Sequence, residues 1–198
     1  MVPQIDLCKN GLRCSRIVHG LWRLADWNKS EAEIREILDH CLKLGITTFD
    51  HADIYGDYTC EALFGEALAA SKIDRSTIQL VTKCGIKLVS RNRPAHRVKC
   101  YDTTRTHIVA SAENSLRNLR VDYIDLLLIH RPDPLTDPRE INEAFVSLRD
   151  SGKVRHFGVS NFLPSQFEML ASKLDVPLIT NQIEYSVLHL DAHQISNH

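Results

Sequence analysis

Four titratable side chains of different kinds follow predicted strands in this 198-residue chain. Asp50 lies near the end of one strand-like run, and Tyr55 lies in the loop after it. Lys83 and His130 stand at the ends of two later apolar runs. Each residue alone is more often a cap, a turn residue or a solvated charge. Together, at successive strand ends, they bring an acid, a phenol, an ammonium group and an imidazole to one rim, which favours a proton-transfer site.

The chemistry of such a set is acid–base catalysis on an oxygen atom. A phenol with an unperturbed pKa of about 10 is a poor proton donor or acceptor near neutral pH. A nearby lysine ammonium stabilises the phenolate, and a carboxylate holds that lysine in place. A histidine beside the phenol can orient a carbonyl oxygen or help to transfer the proton.

Strands alternating with amphipathic helices are predicted along most of the chain. Asn10-Gly11 between two short extended stretches is a strong hairpin signal. The strands predicted after it are Ile17–Trp22, Thr47–Ala52, Ile78–Cys84, Tyr123–His130, Arg155–Ser160 and Leu178–Tyr185. The predicted helices carry the apolar stripe from Ile34 to Leu42, or lie near Cys60–Ala70, near Arg105–Leu119, from Pro138 onward, and at Pro164–Leu174.

Two of these helices have N-terminal capping signals. Ser30 with Glu33 predicts a capping box, and Gly45 predicts the end of the same helix. Asp137 is the predicted N-cap of a later helix whose first residue is a proline, and Glu140 is expected to complete a second capping box.

The alternation predicts an α/β fold with a parallel sheet, either doubly wound or a TIM (β/α)8 barrel. No G-x-G-x-x-G follows the first strand, which disfavours a dinucleotide-binding doubly wound sheet. We count about six βα units, whereas a complete barrel has eight. The expectation is therefore a single domain over residues 1–198 with two open edges, through which self-association is possible.

Composition excludes several classes of function. Lysine plus arginine number 24 against 25 aspartate plus glutamate, a balance that disfavours a nucleic-acid partner. No apolar run is long enough to cross a membrane, and the start of the chain does not resemble a signal peptide, so a cytoplasmic location is expected. The six cysteines form no C-x-x-C pair and the histidines no zinc motif, so no metal site is predicted.

Four longer segments resemble the signature segments of the aldo-keto reductases, and the match continues in family order to Thr180–Tyr185. These segments are Phe49–Gly56, Val81–Gly85, Leu127–Asp133 and Gly152–Phe162. Several long segments in one order make the resemblance specific. The sequence looks closest to a bacterial-type oxidoreductase subgroup.

The resemblance implies a TIM barrel that uses NADPH to reduce a small-molecule carbonyl substrate, or to oxidise the alcohol. Asp50, Tyr55, Lys83 and His130 match the family's catalytic tetrad. By that match, Tyr55 would donate the proton and Lys83 would lower its pKa. Asp50 would hold Lys83, and His130 would orient the substrate carbonyl.

Five further residues receive binding roles. Ser160, Asn161 and Gln182 match the family positions that hydrogen-bond the nicotinamide carboxamide. Trp22 and Trp27, at and just after the end of the first barrel strand, are candidates for the substrate pocket wall. Core packing is an equally weighted alternative for the two tryptophans.

The match departs from the family at the C-terminus. Family members continue with two more βα units that bring a nicotinamide-stacking aromatic residue and a loop that holds the adenosine phosphates. Ser186–His198 matches neither element. The alternative function is therefore a non-catalytic or regulatory subunit on the same scaffold. The basic segment Ile86–Thr104 is either a substrate-selecting loop or a solvated one.

Overall fold

The computed structural model describes residues 1–9 and 11–188. Its strands are β1 (Gln4–Asp6), β2 (Arg13–Ser15), β3 (His19–Gly20), β4 (Thr48–Asp50), β5 (Gln79–Cys84), β6 (Ile86–Lys87), β7 (Cys100–Tyr101), β8 (Ile124–Ile129), β9 (Val154–Ser160) and β10 (Leu178–Gln182). Its α-helices are α1 (Glu31–Leu44), α2 (Tyr55–Tyr58), α3 (Cys60–Ala70), α4 (Arg105–Leu119), α5 (Pro138–Asp150) and α6 (Pro164–Ala171). Short 3-10 turns span Leu24–Trp27 and Arg75–Thr77.

A six-stranded parallel sheet forms the centre of the molecule, in the order β3-β4-β5-β8-β9-β10. All of its strand pairs are parallel, so each connection must cross over, and helices supply these crossovers. The predicted α/β fold of about six βα units is confirmed. In the part of the chain that the structure describes, β3 and β10 are the two edges of the sheet.

Strand β8 shows why an unbroken apolar run suits this sheet. All six of its residues are buried. Leu127 and Ile129 pack in the cluster that contains Phe145 of helix α5, whereas Leu126 and Leu128 pack on the other face of the sheet. A strand covered on both faces needs apolar side chains at every position rather than at alternate ones.

The N-terminal hairpin covers one face of the sheet at the amino ends of the strands. This face, which carries Leu126 and Leu128, is called the inner face below. β1 and β2 pair antiparallel as predicted, although Asn10 of the predicted turn lies outside the described residues. Leu12 and Cys14 join Val81 and the inner side chains of β8 in one buried cluster. The backbone N–H of Ser15 donates to the hydroxyl of Thr48 at 2.9 Å, at the first residue of β4.

The helix ends follow local capping chemistry, with one correction. The predicted capping box of Ser30 and Glu33 is present, and α1 ends at Gly45 with φ +83°, as predicted. Asp137 caps α5 by accepting from the backbone N–H of Arg139. The second predicted capping box is wrong, because the carboxylate of Glu140 accepts from the backbone N–H of Arg105, in the first turn of α4, at 2.7 Å.

The segment between β5 and α4 has structure that the sequence pattern did not reveal. β6 and β7 pair antiparallel within the predicted long interruption.

Among the described residues no helix is long and apolar enough to span a bilayer. All six cysteines are free thiols, and four of them are buried.

Candidate active site

A buried ammonium group connects three parts of the predicted site. The Nζ atom of Lys83 donates to Oδ2 of Asp50 at 2.7 Å, to the backbone oxygen of His51 at 2.8 Å and to the hydroxyl oxygen of Tyr55 at 3.1 Å. An ammonium group has three donors, so these contacts use all of them. Lys83 is 2% exposed, and a charge buried to this degree is tolerable only with such partners.

Strand geometry explains how these residues meet. Asp50 is the last residue of β4 and Lys83 is the residue before the end of β5. The two strands are parallel neighbours, so their carboxyl ends lie at one edge of the sheet. Side chains alternate between the faces of a strand, and Lys83 therefore lies on the inner face together with Val81.

Tyr55 reaches the site from the loop that follows β4. It begins the short helix α2, and the next two residues, Gly56 and Asp57, have φ values of 56° and 55°. This left-handed turn reverses the chain immediately after the tyrosine. The Tyr55 ring meets the His130 ring edge to face, with centroids 5.9 Å apart and planes at 79°.

His130 is held as a neutral imidazole beside the phenol. Burial lowers its pKa to about 3, and the charges of Lys83 and Arg131 act in the same direction. Its Nδ1 atom is buried and has no hydrogen-bond partner among the described residues. At neutral pH this group can hydrogen-bond an oxygen atom, but it cannot supply a proton as an imidazolium ion.

Polar side chains from the last two strands form the adjoining wall. Ser160 ends β9 and Gln182 ends β10. The side-chain amide of Gln182 donates to Oδ1 of Asp50 at 3.0 Å. Asn161, with φ +57°, donates from Nδ2 to Oγ of Ser160 at 3.1 Å. The wall is thus joined to the Asp50–Lys83 pair by hydrogen bonds.

Close packing of β9 and β10 sets the position of this wall. A Cβ atom at Gly158 would lie 2.6 Å from the backbone oxygen of Thr180, so only glycine allows the observed approach. The side chain of Asn181 turns away and exchanges two hydrogen bonds with the backbone of Phe162. Its neighbour Gln182 consequently faces the site.

These groups line one cleft of about 280 Å³. The lining residues are Asp50, Tyr55, Lys83, His130, Arg131, Ser160, Asn161, Gln182, Ile183 and Glu184. All four predicted catalytic residues and all three predicted cofactor residues lie among them. Sequence reasoning missed Arg131, Ile183 and Glu184, although the position of Arg131 directly after His130 was a usable signal.

Comparison with known proteins identifies the family of this chain. The model of the Aldo/keto reductase family matches residues 16–198. The chain belongs to the aldo/keto reductase family. It is 61% identical over 190 residues to "Uncharacterized oxidoreductase YcsN" of Bacillus subtilis (strain 168), covering 96% of this chain and 63% of that protein.

Two further aldo/keto reductases are similar to this chain, one in sequence and one in structure. The chain is 50% identical over 181 residues to "6-dehydroglucose reductase" of Agrobacterium fabrum, covering 91% of this chain and 61% of that protein. The holo form of the aldo-keto reductase AKR11C1 from Bacillus halodurans superposes with a TM-score of 0.79 at 27% identity, over 94% of this chain and 58% of that one. The chain spans 58–63% of the length of these three proteins.

The two tryptophans lie apart from the cleft of this aldo/keto reductase chain. Trp22 is 69% exposed and Trp27 is 37% exposed. The Trp27 ring lies 6.1 Å from the ring of His19. Neither is among the lining residues of the cleft, and their role in a substrate pocket stays a prediction.

A second polar pocket of about 190 Å³ lies on the other side of β5, between α3, α4 and the segment before α4. Asp53 and Glu61 contribute buried carboxyl groups to it. Burial raises the pKa of both carboxyls, and the charge of Glu61 raises that of Asp53 further. Sequence reasoning missed this pocket, since the pattern does not reveal which polar loop side chains turn inward.

Proposed function

We propose that this chain carries the proton-transfer and nicotinamide-holding residues of an NADPH-dependent carbonyl reductase. The observation that carries the proposal is the buried Lys83 ammonium, which donates to both Asp50 and Tyr55. A lysine that only stabilised the fold would not need a phenol as its third partner. The reaction would be reduction of an aldehyde or ketone to an alcohol, and the reverse.

The residues of the wall fit a nicotinamide cofactor. Its carboxamide needs a hydrogen-bond acceptor for its N–H groups and a donor for its oxygen. Ser160 supplies a hydroxyl, and the amide groups of Asn161 and Gln182 lie on the same cleft. When bound, the reduced cofactor supplies the hydride, and therefore the two electrons, that the carbonyl carbon needs.

Tyr55 is the proposed proton donor. Its hydroxyl hydrogen passes to the carbonyl oxygen while the carbonyl carbon is reduced, so that an alcohol forms and a tyrosinate remains. The ammonium group of Lys83, 3.1 Å from the Tyr55 oxygen, stabilises that negative charge. His130, kept neutral by its lowered pKa of about 3, orients the carbonyl oxygen through a neutral hydrogen bond.

The lining of the cleft favours a hydrophilic substrate. Except for Ile183, every residue that lines it carries a polar or charged side chain. A sugar-like carbonyl compound matches this lining, and the relative from Agrobacterium fabrum is named for the reduction of 6-dehydroglucose. We therefore propose hydroxylated aldehydes and ketones as the substrate class.

Replacing Tyr55 with phenylalanine tests the assignment of the proton donor. We expect Tyr55→Phe to lower kcat for NADPH-dependent reduction of a reactive aromatic aldehyde by about 10²–10⁴-fold. A matched control is Tyr123→Phe, because the Tyr123 ring lies between the guanidinium groups of Arg75 and Arg155, away from the cleft. Turnover that survives in Tyr55→Phe would overturn the assignment.

A cofactor-binding subunit without turnover is the second candidate function. The observation that favours it is the wall of the cleft, which within the described residues ends at β10, an edge of the sheet. Cofactor binding without turnover, or self-association that creates the activity, would distinguish this candidate by fluorescence titration and sedimentation.

A further inference from the structure

Arg131 brings a positive charge into the cleft. It directly follows His130 and lines the cleft together with Tyr55. Its side chain is half-buried. Within residues 1–9 and 11–188 it forms no hydrogen bond and no ion pair. A guanidinium group offers five N–H donors in a rigid plane, and all of these are available at the place where a substrate would lie.

The other charges of the cleft are already engaged. Asp50 and Lys83 neutralise each other at 2.7 Å. Glu184 is exposed and makes contacts of its own. Arg131 is therefore the charge that the described cleft does not balance internally.

The charge of Arg131 also reaches the reacting groups. It is one of the causes that lower the pKa of the neighbouring His130 imidazole. Arg131, His130 and Tyr55 line the same cleft of about 280 Å³. An anion bound to Arg131 and a carbonyl oxygen held by His130 would therefore share one small space, which a single small molecule can fill.

We propose that Arg131 binds a carboxylate of the substrate, so that the preferred substrates are carbonyl compounds that also carry an acid group, such as oxo acids and sugar acids. The inference rests on the proposed function, because it assumes that the carbonyl lies between Tyr55 and His130. Arginine suits this role because its planar donors match the two oxygens of a carboxylate, in a way that a lysine does not reproduce.

A pair of probes that differ only in charge tests the proposal. The probes are 4-carboxybenzaldehyde and its methyl ester, which present the same reactive aldehyde. With the full-length enzyme and saturating NADPH, we expect Arg131→Gln to raise KM for the acid at least tenfold. We expect KM for the ester to change less than twofold and kcat for both probes to stay within threefold. Arg131→Lys, which keeps the charge, is expected to lie between wild type and Arg131→Gln.

Two controls separate this proposal from other roles of Arg131. Arg13→Gln removes an exposed arginine of the N-terminal hairpin, at the opposite end of the strands, and should leave the preference for the acid unchanged. The dissociation constant of NADPH, measured by fluorescence, should be the same in Arg131→Gln as in wild type. Weakened NADPH binding would mean that Arg131 holds a cofactor phosphate, which would overturn the proposal.

The remaining outcomes also support or contradict the proposal that Arg131 binds a carboxylate. Equal losses for both probes, or no loss for either, would contradict the recognition of a carboxylate. Calorimetric binding of both probes to the Tyr55→Phe variant gives the same comparison without turnover. If wild type shows no activity but binds the acid more tightly than the ester, and Arg131→Gln abolishes that difference, the proposed reaction fails while the anion site stands.

Discussion

The two faces of strand β5 differ in the partners that they give to buried ionisable side chains. On the inner face, Lys83 extends into the cleft and pairs with the carboxylate of Asp50 at 2.7 Å. On the outer face, the adjacent Thr82 donates from its hydroxyl to the carboxyl of Glu61 at 2.7 Å. One strand thus presents an ion pair on one face and, on the other, a hydroxyl that donates to a carboxyl group.

The partners explain the difference between the faces. The carboxylate of Asp50 accepts hydrogen bonds from the ammonium group of Lys83 and from the side-chain amide of Gln182. Glu61 receives hydrogen bonds from Thr82 and Asn118, and burial raises its pKa. Without an ion-pair partner, a buried acid is driven toward its neutral form.

This contrast distinguishes the candidate active site on the inner face from the buried polar pocket on the outer face. The inner face keeps the charged Asp50–Lys83 pair beside Tyr55, the proposed proton donor. On the outer face, hydroxyl and amide groups donate to the carboxyl of Glu61, and Oδ1 of Asp53 has no hydrogen-bond partner among the described residues. Burial alone therefore does not mark a catalytic group in this protein.

Replacing Lys83 should have the largest effect, because it removes the charge from the inner face. Lys83→Met leaves Asp50 buried without its partner, which typically costs about 3–5 kcal/mol of unfolding free energy. It also removes the group that stabilises a Tyr55 anion, so we expect kcat to fall about 10²–10⁴-fold. Urea unfolding and steady-state kinetics measure the two effects.

Lys87→Met is the matched control for Lys83→Met. Lys87 pairs with Asp102 at 3.2 Å, and both side chains are partly exposed, so its loss should cost at most about 1 kcal/mol. Equal effects of the two substitutions would mean that the buried ion pair of Lys83 contributes no more to stability and activity than the partly exposed ion pair of Lys87.

His51 should show the next largest effect, as a dependence of stability on pH. Both ring nitrogens are buried and have no hydrogen-bond partner among the described residues. Burial, together with the charges of Lys83 and His19, lowers the pKa of His51 to about 3. In the unfolded chain His51 binds a proton below about pH 6.5, whereas in the folded chain it binds one only below about pH 3. Stability is therefore lost as the pH falls from about 6.5, by about 2–3 kcal/mol at pH 4.5.

His51→Leu should remove this loss. Its ring packs edge to face on Phe64 with centroids 4.5 Å apart, and leucine keeps an apolar contact there. Urea midpoints of wild type and variant, compared at pH 7 and pH 4.5, give the difference. If the variant is as acid-sensitive as wild type, the buried neutral imidazole is not a source of that sensitivity.

Sequence pattern predicted the elements and the residues of the cleft better than it predicted the other contacts between elements. Helices α3 and α4 have the bounds expected from their apolar periodicity, because a helix stripe is a local property. The residues of the cleft could be predicted to meet because they follow strands of one parallel sheet. Local sequence determines neither the pairing of β6 with β7 nor the reach of Glu140 to α4, since both depend on neighbouring elements.

Asp53 should give the smallest effect, with the opposite dependence on pH. Its pKa is raised by burial and by Glu61, so between about pH 4 and its folded pKa the folded chain holds a proton that the unfolded chain has lost. Stability from this group is present at low pH and is lost as the pH rises. Asp53→Asn removes the ionisation, so we expect the free energy of unfolding of the variant, relative to wild type, to be higher at pH 7.5 than at pH 5. Asp122→Asn, at an exposed position, should show no such trend. A trend of the reverse sign in Asp53→Asn would mean that Asp53 is ionised in the folded protein, and the two faces of β5 would then hold charge in the same way.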